Sequence, residues 1–186
     1  GFLFVGGCVN FDMNRYLSFL ISFIFFNCSN YKNQNQLEKT VSLNKRDAVE
    51  LKEEIYKKFS SELSIDRLDE YKKRMIKIDN RELKYDLKFY GKKPADGWSL
   101  YLSLHGGGAV SDEYNEDQWN RHKVLYELEQ GILITPRSPT NTWNMWHQGH
   151  IDIFFNRLIQ NLIVFNEVDP NKVYLMGYSA GGDGVY

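Results

Sequence analysis

Lys172-Val173-Tyr174-Leu175-Met176-Gly177-Tyr178-Ser179-Ala180-Gly181-Gly182 is the stretch that decides how this chain is read. Val173, Tyr174 and Leu175 form a short apolar run of strand composition. Gly177-Tyr178-Ser179-Ala180-Gly181 follows at once, with Gly182 behind it, where a helix would pack closely against a sheet. The logic is steric. A serine on a tight strand-to-helix turn has strained backbone angles and close neighbours on both sides, and Gly177 and Gly181 give that turn room. A Gly-x-Ser-x-Gly match alone is weak, because an ordinary Gly/Ser loop produces it by chance.

A second motif lies about seventy residues upstream, Leu104-His105-Gly106-Gly107-Gly108, at the exit of the apolar run Trp98-Ser99-Leu100-Tyr101-Leu102-Ser103-Leu104. Acyl transfer makes an oxyanion, and glycines let backbone N–H groups approach it with no Cβ in the way. The donors expected are the N–H of Ala180 and those of Gly107 and Gly108. The plain alternative for the glycines is a flexible turn. His105 reads as a structural brace of that loop and is a poor candidate for a general base.

The order of elements points to the same fold class. Lys84 to Tyr90 alternates polar and apolar as an edge or half-exposed strand would, and Gly91 to Gly97, with Pro94, reads as a turn. The run Trp98 to Leu104 suits an inner strand of a parallel sheet. Asp117 to Gln130 is predicted as a helix with Trp119, Val124, Leu125 and Leu128 on one side, closed by Gly131. A strand from Ile132 to Pro136 follows, then a helix from about Asp152 with Phe154, Leu158, Leu162 and Phe165 at helical spacing, ended by Asp169-Pro170. This alternation implies parallel pairing through crossover helices.

With both motifs in this order and each at a strand end, the chain from about Arg81 to Tyr186 resembles the α/β-hydrolase superfamily. The segment Val168 to Gly182 is similar to the helix-to-nucleophile region of bacterial esterases related to polyhydroxybutyrate depolymerases and feruloyl esterases. It is also similar to the catalytic domain of prolyl oligopeptidases. The resemblance implies the N-terminal part of a doubly wound, mostly parallel α/β sheet, preceded by a short helical segment. It also implies a Ser-His-Asp mechanism in chain order Ser, then Asp or Glu, then His, with no metal or organic cofactor. Ser179 is then the nucleophile, attacking carboxylic esters, small or polymeric, through an acyl-enzyme. A prolyl-oligopeptidase-like serine peptidase is the alternative within enzymes, and a non-catalytic fragment or interaction module on the same fold is the alternative outside them. Only the serine of that triad lies within residues 1–186, so the chain as written is expected to be inert or nearly so. A domain of this class is expected to need about 80 to 150 further residues.

The remaining histidines, His122, His147 and His150, all precede Ser179. His122 reads as part of the exposed start of a helix. His147 and His150 lie in Asn141 to Asp152, on the rim where ligands bind beyond the carboxyl ends of strands. Trp143 and Trp146 in that loop either wall an acyl or aryl pocket or simply pack. A His-x-x-His-x-Asp metal site is not expected, since a serine nucleophile needs no metal-activated water.

The first methionine is Met13, and translation from it would leave residues 1–12, with Cys8, outside the protein. Asn14-Arg15 and the apolar Tyr16 to Phe26 have the form of a signal peptide, too short to span a bilayer. Cys28 directly after it resembles a bacterial lipoprotein signal, so residues 1–28 are expected to direct the protein to the bacterial envelope, secreted or periplasmic, or tethered to the membrane through a lipidated Cys28. Residues 29–36 read as a polar tether. Residues 37–79 read as a helical segment, with Leu51, Ile55 and Phe59 on one face, and Leu68, Tyr71 and Met75 on a second helix capped by Ser64. Twenty-three basic and 24 acidic residues are interleaved, for a formal net charge of −1. That balance argues against a nucleic-acid partner.

Overall fold

The computed structural model describes residues 42–186. Its helices are α1 (Lys45–Asp66), α2 (Leu68–Lys73), α3 (Asp112–His122), α4 (Gly149–Asn166) and α5 (Ala180–Asp183), and its strands are β1 (Met75–Ile78), β2 (Arg81–Tyr90), β3 (Trp98–Leu104), β4 (Gly131–Pro136) and β5 (Val168–Gly177). The chain divides into two compact units, 1–49 and 50–186. In the described part of the first, Asn44 Oδ1 accepts from the N–H groups of Arg46 and Asp47 and so opens α1. The second unit holds the sheet. The signal-like segment, both cysteines and the polar tether lie outside the described residues. Among the described residues no helix is long and apolar enough to cross a membrane.

The five strands make one sheet in the order β1-β2-β4-β3-β5. β4, β3 and β5 run parallel, while β1 with β2 and β2 with β4 are antiparallel. The fold is therefore α/β, with a mixed sheet that is parallel from β4 to β5. α3 connects β3 to β4 and α4 connects β4 to β5, the crossover connections that parallel strands require.

Alternation along the strands assigns the two faces. Leu100, Leu102, Ile132 and Ile134 pack against Phe154, Leu158 and Leu162 of α4 in one cluster. Fully burying each such side chain contributes about 1.5–3 kcal/mol. Residues of opposite parity meet α3, where the Ser103 hydroxyl bonds His122 Nε2 at 2.8 Å and Trp119 Nε1–H donates to the Thr135 carbonyl at 2.8 Å. Covered on both sides, all six residues of β4 are buried. Arg157 of α4 reaches Glu70 of α2 with Nε 3.0 Å from each carboxylate oxygen, and Asn161 donates to the same carboxylate at 2.7 Å.

Several predicted elements differ. α1 runs through Ser64, whose hydroxyl bonds the Ser61 carbonyl instead of capping a second helix, and Leu51 and Ile55 stay exposed while Leu63 is buried. Met75 opens a strand, not a helical face. Arg74 in the left-handed region (φ 51°) ends α2, and Asp79 (φ 52°) turns β1 back onto β2. β2 is consequently not an edge, because β1 covers it. α3 starts earlier and ends earlier than expected. Ser111 caps it, its hydroxyl accepting from the Tyr114 N–H at 3.2 Å, and the helix closes at His122. Val124 and Leu125 lie in the turns beyond, 72% and 52% exposed, and do not form a packed face.

Candidate active site

The last residues of β3 and β5 are direct partners, Leu104 opposite Gly177. Two loops therefore leave neighbouring parallel strands on the same rim, the place where α/β sheets bind ligands. The Tyr178 N–H donates to the Leu104 carbonyl at 3.1 Å, which ties the two exits together.

Ser179 stands immediately before α5 at φ 55°, ψ −124°. This is outside the left-handed well that non-glycine residues occasionally visit, and such a conformation costs about 1–3 kcal/mol. The surroundings hold it there. A Cβ at Gly177 would overlap the Gly181 carbonyl, and a Cβ at Gly181 would overlap the Leu104 carbonyl. The turn thus closes to backbone-on-backbone contact on both sides of an exposed serine. A Cβ at Gly106 would lie 3.1 Å from Ser179 Cβ, so the glycine loop is the serine's immediate neighbour.

His105 is fully buried beneath that loop. Its Nδ1–H donates to the Gly106 carbonyl at 2.6 Å, and its Nε2 accepts from the Ser138 N–H at 3.1 Å. Both ring nitrogens are engaged only in the neutral tautomer. Burial, first, lowers the His105 pKa to about 4, with Arg137 and His122 adding to the effect against the Gly106 carbonyl. His105 is placed as a brace. His122, expected on an exposed helix start, is instead buried at the end of α3, and burial lowers its pKa to about 4. Among the described residues no histidine nitrogen is hydrogen-bonded to the Ser179 hydroxyl.

Gly107 (φ 130°) and Gly108 (φ 136°) both lie where side chains are disfavoured. Their N–H groups differ. Gly108 N–H donates to Asn115 Oδ1 at 3.1 Å, and Asn115 Nδ2–H donates back to the Gly108 carbonyl at 2.9 Å. Gly108 is thus occupied as a donor, contrary to its expected place beside Gly107 in an oxyanion hole. The N–H groups of Gly107 and of Ala180, the first residue of α5, have no internal acceptor among the described residues. Asn115 also donates to Asn141, whose Oδ1 accepts from Arg137 at 2.6 Å. Arg137 in turn contacts Asp112 at 2.9 Å.

Sequence reasoning missed Asn115. The signal was available, since Asn115, Trp119 and His122 share the i, i+4, i+7 face of α3, and a polar residue on a buried face needs a partner. The loop that follows β4 is placed differently from expectation. Of the two readings open for Trp146, packing is the one found: it is buried with Leu104, Met145 and Ile151, and its Nε1–H donates to the His105 carbonyl at 2.9 Å, beneath the glycine loop. Trp143 is 78% exposed, and its backbone flanks Gly108. His147 is exposed, and the His150 ring stands edge-on to Phe154. Among the described residues no three His, Cys, Asp or Glu side chains gather as metal ligands.

The cavity in front of Ser179 has a volume of about 460 Å³ and is bounded by the glycine loop, by Tyr114, Gln118 and Arg121 of α3, and by Tyr178. Comparison of the chain with protein-family models, curated proteins and solved structures finds no match.

Proposed function

We propose that this chain carries the nucleophile and oxyanion half of an α/β-hydrolase-type serine esterase. The observation behind this reading is the backbone of Ser179, held at φ 55°, ψ −124° between two glycines that admit no Cβ. Strain of this kind is kept where it exposes a reactive side chain.

The chemistry follows from the groups present. Ser179 Oγ attacks the ester carbonyl carbon, and the carbonyl oxygen takes the charge of the tetrahedral intermediate. The N–H groups of Ala180 and Gly107 receive that oxyanion. Collapse breaks the bond to the alkoxy oxygen, the alcohol leaves with a proton, and water then releases the acid from the acyl-serine. Serine attacks only when a base removes its proton, and the resemblance assigns that base to a histidine later in the chain order, oriented by Asp or Glu. The α/β sheet, with both loops at the ends of parallel neighbours, is the coarser feature that supports this assignment.

The test treats the protein that includes the later Asp or Glu and His of the implied triad with a fluorophosphonate and with p-nitrophenyl acetate. The expected result is a phosphonyl mass on the peptide containing Ser179 together with nitrophenol release, both lost in Ser179→Ala. Hydrolysis that survives Ser179→Ala overturns the proposal.

A further inference from the structure

We infer that the ester turned over at this site carries a carboxylate, and that Arg121 receives it. The inference rests on the reading of Ser179 as nucleophile and adds the substrate class.

Arg121 lies in the last turn of α3 and lines the cavity that Ser179 and Gly107 also line. It lines a second cavity too, of about 500 Å³, which adds Leu125 and Tyr126. Arg121 is exposed, and neither cavity is lined by Asp or Glu. Among the described residues the Arg121 guanidinium forms no ion pair and no side-chain hydrogen bond. Arg137 and Arg157 are different, being matched by Asp112 and by Glu70. A cation at a helix C-terminus is favoured by the helix dipole, which accounts for an arginine in that turn. The five guanidinium donors of this cavity-lining residue have no partner among the described residues.

A planar fork of donors with no internal acceptor fits a carboxylate in bidentate fashion. Neither cavity wall contains Lys or a second Arg, so one unit of positive charge faces the ligand. That matches a monoanion better than a phosphate dianion. Gln118 and the hydroxyl groups of Tyr114 and Tyr178 supply neutral polar contacts around it, and their rings give the linking part of the substrate an apolar wall.

The test compares two ester pairs that differ only in the anion. One pair is p-nitrophenyl hexanoate and mono-p-nitrophenyl adipate, with the carboxylate on the acyl side. The other is phenyl and 4-carboxyphenyl butyrate, with the carboxylate on the leaving side. The protein with its complete triad should prefer the carboxylate member of one pair in kcat/KM, and Arg121→Gln should collapse that ratio by about ten- to a hundredfold. Arg121→Lys should fall between. A structural role for Arg121 would lower both members together and leave the ratio intact, which overturns the inference, as does preference for the neutral member in both pairs. Calorimetric binding of adipate and hexanoate to Ser179→Ala separates the two readings. Adipate binding that depends on Arg121, where hydrolysis does not depend on Ser179, removes the nucleophile and keeps the anion site.

Discussion

Asn115 and Gly108 are joined by two antiparallel hydrogen bonds, side-chain amide to peptide, at 3.1 and 2.9 Å. The helix after the glycine loop thereby grips the loop from behind and fixes the orientation of the peptide next to Gly107. Asn115 is fully buried, so neither bond is exchanged for water.

Asn115 is therefore a positioning residue, and Asn115→Ala should reduce kcat on p-nitrophenyl esters by about ten- to a hundredfold with KM little changed. The steady-state split checks this. If Asn115→Ala lowers the melting temperature but leaves kcat intact, the side chain serves the fold alone.

Ser179→Gly and Ser179→Ala should both abolish turnover yet part company in stability. Glycine occupies φ 55°, ψ −124° without strain. Relief of that strain, less the chain entropy that glycine adds, should make Ser179→Gly about 1 kcal/mol more stable than Ser179→Ala. Urea denaturation of the two variants measures the difference.

Gly177, Gly181 and Gly182 lie within six residues of one another in sequence, and their tolerance should differ sharply. Gly177→Ala and Gly181→Ala drive a methyl group into backbone carbonyls, whereas a Cβ at Gly182 meets the Gly177 carbonyl oxygen at an ordinary 3.6 Å. The first two substitutions should cost about 2–4 kcal/mol and Gly182→Ala less than about 1. Thermal melts of the three variants decide it.

Acid should loosen the glycine loop before it titrates most carboxylates. His105 and His122 are held neutral, with pKa values lowered to about 4 from 6.5. The unfolded chain binds their protons first, so the stability they confer is complete above pH 6.5 and is lost as pH falls from 6.5 toward 4. For His105 the span corresponds to roughly 3 kcal/mol. Melting temperatures measured between pH 7 and 4.5 should fall accordingly. His105→Gln, a weaker fold at neutral pH, should show a shallower slope across that window.

The legible parts of this molecule were those whose rules are local. Val173-Tyr174-Leu175 followed by Gly-x-Ser-x-Gly dictates strand, tight turn and helix because the sterics act within a few residues. The same holds for Trp98 to Leu104 running into three glycines. Elements set by distant partners were not legible. β1 is a strand because β2 accepts it, although the Asp79-Asn80 pair carried a hairpin signal that residues 37–79 read as helical concealed. α3 ends at His122, whose imidazole bonds Ser103 nineteen residues earlier, a contact that local sequence does not announce. For Trp146 the neighbours in sequence left pocket wall and packing both open, and its neighbours in space make it a support.

The pairing of Leu104 with Gly177 has a consequence for how the molecule comes into being. The two exits are 73 residues apart in the chain, and everything between them, α3, β4 and α4, must be laid down before they meet. Closing so long a loop is among the slow events of folding. The hydrophobic centre of β3, β4 and α4 is encoded before β5 and has no need of it to begin to collapse. The serine turn and the glycine loop acquire their mutual geometry only when β5 docks beside β3. During refolding, reactivity toward a phosphonate should appear after the tryptophan signal of the core, which makes the site a reporter of the final docking event.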